Sequence, residues 1–274
     1  MVVGSQLRRL REARGIAMEA AGELIRASPA KISRLELGRV GFKPCDVADL
    51  LTLYGVTDTQ ERDAFLTLAR RASTPGWWRQ YGDILPSWFG TYLGLEQGAS
   101  ILRSYEPQLV PGLLQTQDYA RAVIELHYAH ESADEIERRI ALRMARQRFL
   151  ALPEAPDLWV VIDEAALRRP VGGRQVFRAQ LRHLIDAAEL PNVTVQVVLF
   201  SAGGYPTAGG SFTILRFAEP DLPDIVYLEQ FLSALYLDKK HETDNYLTMI
   251  DRLCVQAQSA TATIDFLHGI LAKS

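Results

Sequence analysis

The chain has 274 residues, of which 48% are hydrophobic and 23% are charged, and its formal net charge is −3. This composition is typical of a globular protein and excludes a disordered chain. The sequence has no apolar run near the ~20 residues that a membrane span needs. Its N-terminal segment, MVVGSQLRRLREAR, carries charges where a signal peptide has an apolar core. We therefore expect a cytoplasmic protein with no membrane segment.

The charge is unevenly distributed along the chain. Residues 1–43 contain nine lysines and arginines but only four acidic residues, which is a net charge of +5 and leaves −8 for the rest of the chain. A basic N-terminal segment on an acidic body is typical of a DNA-binding module joined to a regulatory domain.

The first part of the chain is predicted to form an all-α domain of five short helices. Apolar residues recur there every three or four positions, as on a helix with one buried face. Ser28 is a favourable N-cap, and Pro29 stands at a first helical position, where its missing N–H costs nothing. The Pro-Gly pair at 75–76 cannot continue a helix, so we expect one domain at 1–73 and another at 77–274.

Two of these helices, joined by a tight turn, predict a helix-turn-helix within residues 5–53. The second helix of this motif enters the major groove with its N-terminal residues at the base edges. Lys31 and Arg34 can reach guanine acceptors or phosphates, and Ala30 can contact a thymine methyl group. The predicted DNA-contacting residues here are Ser28, Pro29, Ala30, Lys31, Ser33 and Arg34, with Arg39 placed for a phosphate just beyond the helix.

The segment SPAKISRLELGR resembles the signature Ser-x-x-x-Ile-Ser-Arg-Leu-Glu-x-Gly-Arg of lambda-repressor-like (Xre-type) regulators. The resemblance implies sequence-specific binding to double-stranded operator DNA. Glu36 matches a family glutamate that is mostly structural, so it is not assigned to DNA. Met18 stands where the family usually has a glutamine that contacts DNA, and it is the corresponding candidate here. Arg26 stands where many members have a glycine, and the resemblance does not fix the shape of this turn.

The larger C-terminal part is predicted to be an α/β domain with a mixed sheet covered by helices. Apolar and β-branched runs predict strands at 101–105, 158–162, 193–200, 211–217, 225–229 and 234–237. Amphipathic stretches predict helices from 116 onward and at 133–150, 175–190 and 243–271, the last of them broken near residue 259.

A second resemblance lies in this part. The segment SYEPQLVPGLLQTQDYARA, with VTVQVVLF, GGSFTILRF and DIVYLEQ, resembles the uncharacterised C-terminal domain of WhiJ-like actinobacterial regulators. This implies a role in the control of development and antibiotic production. It also implies a small BldB-like protein, often encoded beside the regulator, as a partner. The resemblance leaves open whether the domain dimerises, senses a ligand or binds that partner.

Aromatic residues are concentrated after the predicted domain boundary. Core packing or an interdomain contact would explain them, and so would a concave pocket for an apolar ligand or a surface for a partner. The candidate ligand- or partner-binding residues are Trp77, Trp78, Trp88, Tyr92, Tyr105, Tyr205 and Tyr227.

The sequence offers no catalytic constellation, so we predict no enzyme, no cofactor and no metal. The glycine-rich segment at 203–211 lacks the Gly-Lys-Ser/Thr ending of a phosphate-binding loop. Cys45 and Cys254 form no CxxC motif and are expected to be reduced thiols. The acidic pair at 163–164 follows a predicted strand and favours a turn or a helix cap. His127 and His130 could pair on a helix face, but no third ligand stands near them.

The sequence thus predicts a DNA-binding transcription regulator that acts as a homodimer. Two alternatives stay open at this point. One is an antitoxin-like protein that mainly holds a small partner and regulates its own gene, and the other is a C-terminal enzyme that the N-terminal domain targets to DNA.

Overall fold

The structure is a computed structural model that describes residues 2–38, 40–73, 76–86, 88–204, 210–219 and 222–273. The chain divides into two compact units. The first comprises Met1–Gln80 with two short segments, Leu93–Leu95 and Glu219–Leu222, and the second comprises the rest of the chain.

The first unit contains the five helices that the apolar spacing predicts. Its core is formed by the buried faces of all five, with Leu7, Ile32, Leu50 and Tyr54 among the largest fully buried side chains. The helices are α1 (Val2–Ala13), α2 (Met18–Leu24), α3 (Pro29–Glu36), α4 (Pro44–Leu53) and α5 (Thr59–Ser73).

An ion pair lies inside this small helical core. Arg11 of α1 donates to Glu36 of α3 twice, from Nε to Oε1 at 2.5 Å and from Nη2 to Oε2 at 2.9 Å. Its Nη1 also donates to the carbonyl oxygen of Ile16 at 2.8 Å. Both charged residues are buried, with 6% and 5% of their surface exposed. The hydrogen bonds that Arg11 donates to Glu36, together with the negative charge of Glu36, outweigh the effect of burial and raise the pKa of Arg11. The buried pair ties the end of α3 to α1.

The turn between α2 and α3 is a Schellman motif. The Ala27 N–H donates to the Gly22 carbonyl at 2.8 Å, and the Arg26 N–H donates to the Glu23 carbonyl at 3.2 Å. Arg26 therefore adopts the left-handed conformation that glycine usually supplies, with φ of 52°. The turn keeps the shape of the glycine-containing version. Gly22 is required for a different reason, since a Cβ there would lie 2.6 Å from the Ala27 carbonyl oxygen.

The second unit is built on a six-stranded mixed sheet with the strand order β3-β2-β1-β4-β5-β6. Strands β1, β2 and β3 run parallel, and β4, β5 and β6 continue the sheet as antiparallel neighbours. Because β5 is antiparallel to β4, it runs in the direction of β1. The strands are β1 (Ile101–Glu106), β2 (Asp157–Asp163), β3 (Val193–Val198), β4 (Phe212–Arg216), β5 (Ile225–Glu229) and β6 (Ala234–Leu237).

Helices connect and cover these strands. Six α-helices occur in this part of the chain, and α11 packs on β3 and α9. They are α6 (Phe89–Gly98), α7 (Gln117–His127), α8 (Ala133–Gln147), α9 (Gly173–Ala187), α10 (Lys240–Gln256) and α11 (Ala260–Lys273). Residues 257–259 separate the last two, as predicted near residue 259. The structure thus confirms an α-helical N-terminal region and a mixed sheet with helices in the C-terminal part. Helix α6 was not predicted.

The two faces of the sheet carry different groups of side chains. On one face, the side chains of Tyr105, Phe212 and Val226 form an apolar cluster with Ile250 and Leu253 of α10. The register places Ser104, Thr213, Tyr227 and Tyr236 in one row on the other face. Polar contacts occur on the α10 side as well, where Arg103 pairs with Asp251 of α10 and the Gln196 Nε2 donates to the Cys254 carbonyl oxygen. The opposite face, which carries the row from Ser104 to Tyr236, is called the polar face below.

Among the residues that the structure describes, no helix combines the length and the apolar character that crossing a membrane requires.

We predict that Arg26→Gly stabilises the first unit by about 1 kcal/mol, because glycine carries no Cβ penalty in the left-handed conformation. Arg26→Ala is the matched control, since it also removes the charge but keeps the Cβ. Urea unfolding of both variants, followed by circular dichroism, tests this. Equal midpoints for the two variants would contradict it.

We predict that Glu36→Gln lowers the free energy of unfolding by about 3–5 kcal/mol, because it leaves the Arg11 guanidinium buried without a counter-charge. The double variant Arg11→Met, Glu36→Leu removes both charges and should recover most of this loss. The same urea titration measures both, and a Glu36→Gln variant as stable as the parent chain would refute the structural role of the pair.

Candidate functional site

Helix α3 presents one face to solvent and buries the other. Ile32, Leu35 and Glu36 are buried in the core, whereas Ala30 and Arg34 are exposed. Ala30 and Arg34 are four residues apart, so they lie one above the other on the same face. An α-helix with its side chains is about 10–12 Å in diameter, which matches the width of the DNA major groove.

The N-terminus of α3 is capped as the sequence predicts. The Ser28 hydroxyl accepts a hydrogen bond from the Lys31 N–H at 3.3 Å, and Pro29 occupies the first helical turn. Both residues are exposed, and Ser33 is half-buried. The cap fixes the end of the helix that would face the base edges.

The two basic side chains of α3 differ in their surroundings. The Lys31 Nζ lies 3.2 Å from the Asp46 Oδ2 of α4, and the lysine side chain is 33% exposed. Arg34 donates from Nε to the Ala30 carbonyl at 3.3 Å, and it has no acidic partner among the described residues. Arg34 can therefore reach a nucleic acid directly, whereas Lys31 must share its charge with Asp46.

The other two DNA-contact candidates are Met18 and Arg39. Met18 is half-buried and packs against the helical core, so only part of its apolar side chain can reach a ligand. Arg39 lies outside the described residues. Their contacts with DNA stay predictions.

Three of the aromatic candidates lie together in the second unit. The rings of Tyr92 and Tyr227 are 4.1 Å apart between centroids, and those of Tyr227 and Tyr236 are 5.2 Å apart. The Tyr236 hydroxyl donates to the Trp88 carbonyl at 2.7 Å. Trp88, Tyr92 and Tyr227 thus form a group on the polar face of the sheet, with Tyr236 as a member that the sequence did not indicate.

The remaining aromatic candidates have other surroundings or lie outside the described residues. Tyr105 packs into the apolar cluster under α10, with its ring 6.0 Å from that of Phe212. Trp77 and Trp78 belong to the first unit, where their rings meet edge to face at 5.9 Å. Tyr205 lies outside the described residues. Core packing, which the sequence analysis considered as one explanation for these aromatic residues, accounts for Tyr105.

A half-buried arginine lies beside the aromatic group. Arg146 of α8 donates to Glu96 through two hydrogen bonds, at 2.6 Å and 2.5 Å, and its Nη2 lies 3.3 Å from the Tyr92 hydroxyl. Its guanidinium also stands 5.1 Å from the centre of the Tyr92 ring. Burial raises the pKa of Tyr92 well above its ordinary value, and the negative charge of Glu96 adds to this. Arg146 and Glu96 therefore compensate each other inside the unit.

Two glutamates that the sequence reasoning missed complete the polar face. Glu106 ends β1 and is half-buried, and Glu229 ends β5 and is exposed. Burial, followed by the negative charge of Glu229, raises the pKa of Glu106 to about 8. A signal for them existed, since both strands end in glutamate. Only the strand order shows that these ends lie at the same edge of the sheet.

The acidic pair after β2 has a structural role, as predicted. The Asp163 carboxylate accepts a hydrogen bond from the Ala165 N–H at 2.7 Å, which closes a turn. Glu164 accepts from the Phe200 N–H at 2.8 Å and pairs with Arg168. In the part of the chain that is described, no three metal-binding side chains are grouped as a metal site would require.

We predict that Glu106→Gln stabilises the chain more at pH 9 than at pH 5. Native Glu106 holds its proton up to a pKa of about 8, whereas the unfolded chain loses it near pH 4.3. The contribution of Glu106 to the stability of the wild type is therefore largest below pH 4.3, and it is lost as pH rises through 8.

Because Glu106 is partly solvated, the difference between the two proteins should change by only about 2 kcal/mol across this range. Thermal unfolding of both proteins at several pH values measures the effect. Glu189→Gln, a change at an exposed acid of the same unit, is the control and should track the wild type. Curves for Glu106→Gln that run parallel to the wild type would rule out the raised pKa.

Comparison with known families now adds to this geometry. Residues 2–65 match a family model described as a helix-turn-helix domain, which covers α1 to α4 and the beginning of α5. Residues 89–269, more than half of the chain, match the model of a domain of unknown function (DUF5753). No curated protein and no solved structure matches the chain. The first match makes the N-terminal unit a helix-turn-helix DNA-binding domain, and by the second the chain belongs to the DUF5753 family.

Proposed function

We propose that this protein is a sequence-specific, homodimeric transcription regulator of the Xre type, similar to the WhiJ-like regulators. The observation that carries the proposal is the exposed face of α3. Ala30 and Arg34 stand on that face, Ser28 caps its N-terminus, and Ile32 and Leu35 anchor its back in the core. In a helix-turn-helix this is the surface that enters the major groove.

The charge distribution supports the same proposal. Arg11 forms an ion pair with Glu36 inside the core. Arg26, Arg34 and Lys43 are exposed in the first unit. Exposed arginines and lysines near the recognition helix attract the phosphate backbone and orient the helix on the duplex. The acidic remainder of the chain adds no such attraction.

Under this proposal, the DUF5753 domain controls the DNA-binding unit. It would do so through dimerisation, through a ligand, or through a small partner protein of the BldB-like kind. A symmetric dimer would place two copies of α3 in successive major grooves, about 34 Å apart. The proposal assigns no catalytic reaction to the C-terminal domain.

The test is fluorescence anisotropy of the full chain with the promoter DNA beside its own gene, over a salt series. We expect much tighter binding to this DNA than to a scrambled duplex, and two chains per operator that contains two half-sites. Each neutralised phosphate contributes ~0.9 to the log–log salt slope. Equal affinity for both duplexes would contradict specific binding by the chain itself.

We predict that Lys31→Ala combined with Arg34→Ala weakens operator binding at least tenfold and flattens the salt slope, because base-edge contacts contribute about 1–3 kcal/mol each. The control is Arg148→Ala with Arg182→Ala, which removes the same charge from exposed positions of the second unit. If both double variants lost the same affinity, net charge rather than α3 would determine binding.

A second change tests how Lys31 is used. Asp46 holds the Lys31 ammonium at 3.2 Å in the free protein. We predict that Asp46→Asn strengthens operator binding about two- to threefold at low salt, because it frees Lys31 and removes a negative charge near the DNA. Asp49→Asn, an exposed change on the same helix, is the control. An Asp46→Asn variant that bound more weakly than the wild type would show that Asp46 positions Lys31 for DNA.

A further inference from the structure

The sheet of the second unit contains a point where the direction of chain progression reverses. From β1 the chain proceeds to β2 and β3 on one side, and then crosses to β4 and β5 on the other side of β1. In open α/β sheets, ligands bind outside the carboxyl ends of the strands at such a point. Here β1 ends at Glu106.

Glu106 and Glu229 face the same side of this edge. Ser104, Thr213 and Tyr227 form one row across β1, β4 and β5. Glu106 and Glu229 lie two residues beyond the first and the last of these, so they point to the same face as that row. One strand separates them, which places their backbones roughly 10 Å apart. This distance leaves room for a small group between the two carboxylates.

A buried hydroxyl group lies near Glu229 on the same face. Tyr227 is 4% exposed, and its Oη has no hydrogen-bond partner among the described residues. Glu229 is exposed and Glu106 is half-buried. Polar groups therefore extend from solvent to a buried oxygen atom whose hydrogen bond is missing, which is unfavourable in a folded protein unless a ligand or water supplies it.

The charges around this edge do not balance. Arg146 is paired with Glu96, and Arg143 donates to the Gln115 Oε1 at 2.7 Å. Neither Glu106 nor Glu229 forms an ion pair with any residue that the structure describes. Three carboxylates, those of Glu96, Glu106 and Glu229, thus share the field of two arginines, Arg143 and Arg146. The edge lacks one positive charge, and in the free protein the proton that Glu106 retains supplies it.

We propose that this edge of the DUF5753 domain is a binding site for a small organic cation, a primary amine whose ammonium group lies between Glu106 and Glu229. An ammonium group has three N–H donors, and the site offers three acceptors, namely the two carboxylates and the Tyr227 Oη. On binding, Glu106 releases its proton to solvent, and the ammonium charge replaces it.

The site does not depend on DNA binding, whereas a role for the amine as the effector of the regulator rests on the proposed function. The experiment therefore uses the full chain without DNA and three primary amines, namely butylamine, cyclohexylamine and phenethylamine. 2-Phenylethanol and phenylacetate serve as neutral and anionic analogues of the last. Saturation-transfer NMR measures binding, and calorimetry in two buffers of different ionisation enthalpy measures the proton released.

We expect at least one amine to bind saturably with the release of up to one proton, and both analogues to bind at least tenfold more weakly. The affinity should rise as pH increases toward 8, by up to roughly tenfold per unit, because the proton on Glu106 competes with the amine. Glu106→Gln should weaken binding at least tenfold and abolish the pH dependence. Tyr227→Phe should weaken binding but keep the pH dependence, and Glu189→Gln should change neither.

The proposal is wrong if none of the three amines binds, if 2-phenylethanol binds as tightly as phenethylamine, or if Glu106→Gln binds as well as the wild type. Operator binding of the same preparation separates this result from the proposed function. A chain that binds its operator but no amine overturns only the amine site. A chain that binds amines but no operator keeps the site and overturns the regulator.

Discussion

The buried pair of Arg11 and Glu36 is the interaction on which the geometry of the DNA-binding unit depends. The unit is small, and an ionised group in its core is tolerated only where a partner satisfies it. Arg11 meets this condition in one arrangement, with α1 against the end of α3 and with the Ile16 carbonyl as a third contact. The helix that faces DNA is therefore held by a polar contact with a fixed geometry as well as by apolar packing.

The second unit uses buried charge in two different ways. Arg146 and Glu96 form a satisfied pair with two hydrogen bonds, which fixes side chains in the interior. Glu106 has no such partner among the described residues, and a proton takes the place of a counter-charge. The first arrangement stabilises the fold, whereas the second keeps a group that responds to pH and to positive charge. Buried groups of this second kind are typical of binding sites.

The two faces of the sheet explain why these groups lie where they do. Helix α10 covers one face, where Tyr105 and Phe212 form an apolar cluster with Ile250 and Leu253 of the helix. The other face carries Ser104, Thr213 and Tyr227, and Ser104 and Thr213 share a hydrogen bond at 3.2 Å between their hydroxyl oxygens. The Tyr227 hydroxyl, by contrast, has no hydrogen-bond partner among the described residues. The domain therefore combines an apolar cluster under α10 with a sheet edge that carries carboxylate and hydroxyl groups.

Residue patterns alone predict the local features of this protein. The cap at Ser28, the helix-turn-helix signature and the six strands all follow from residues close together in the chain, because helix periodicity and capping are local. The long-range contacts become apparent only in the tertiary structure. Strand order brought Glu106 and Glu229, more than a hundred residues apart, to one edge, and the register separated Tyr105 from Tyr227. Folding also gave Lys31 its partner Asp46 and held Arg26 in a left-handed turn, since each depends on contacts that residue patterns do not encode.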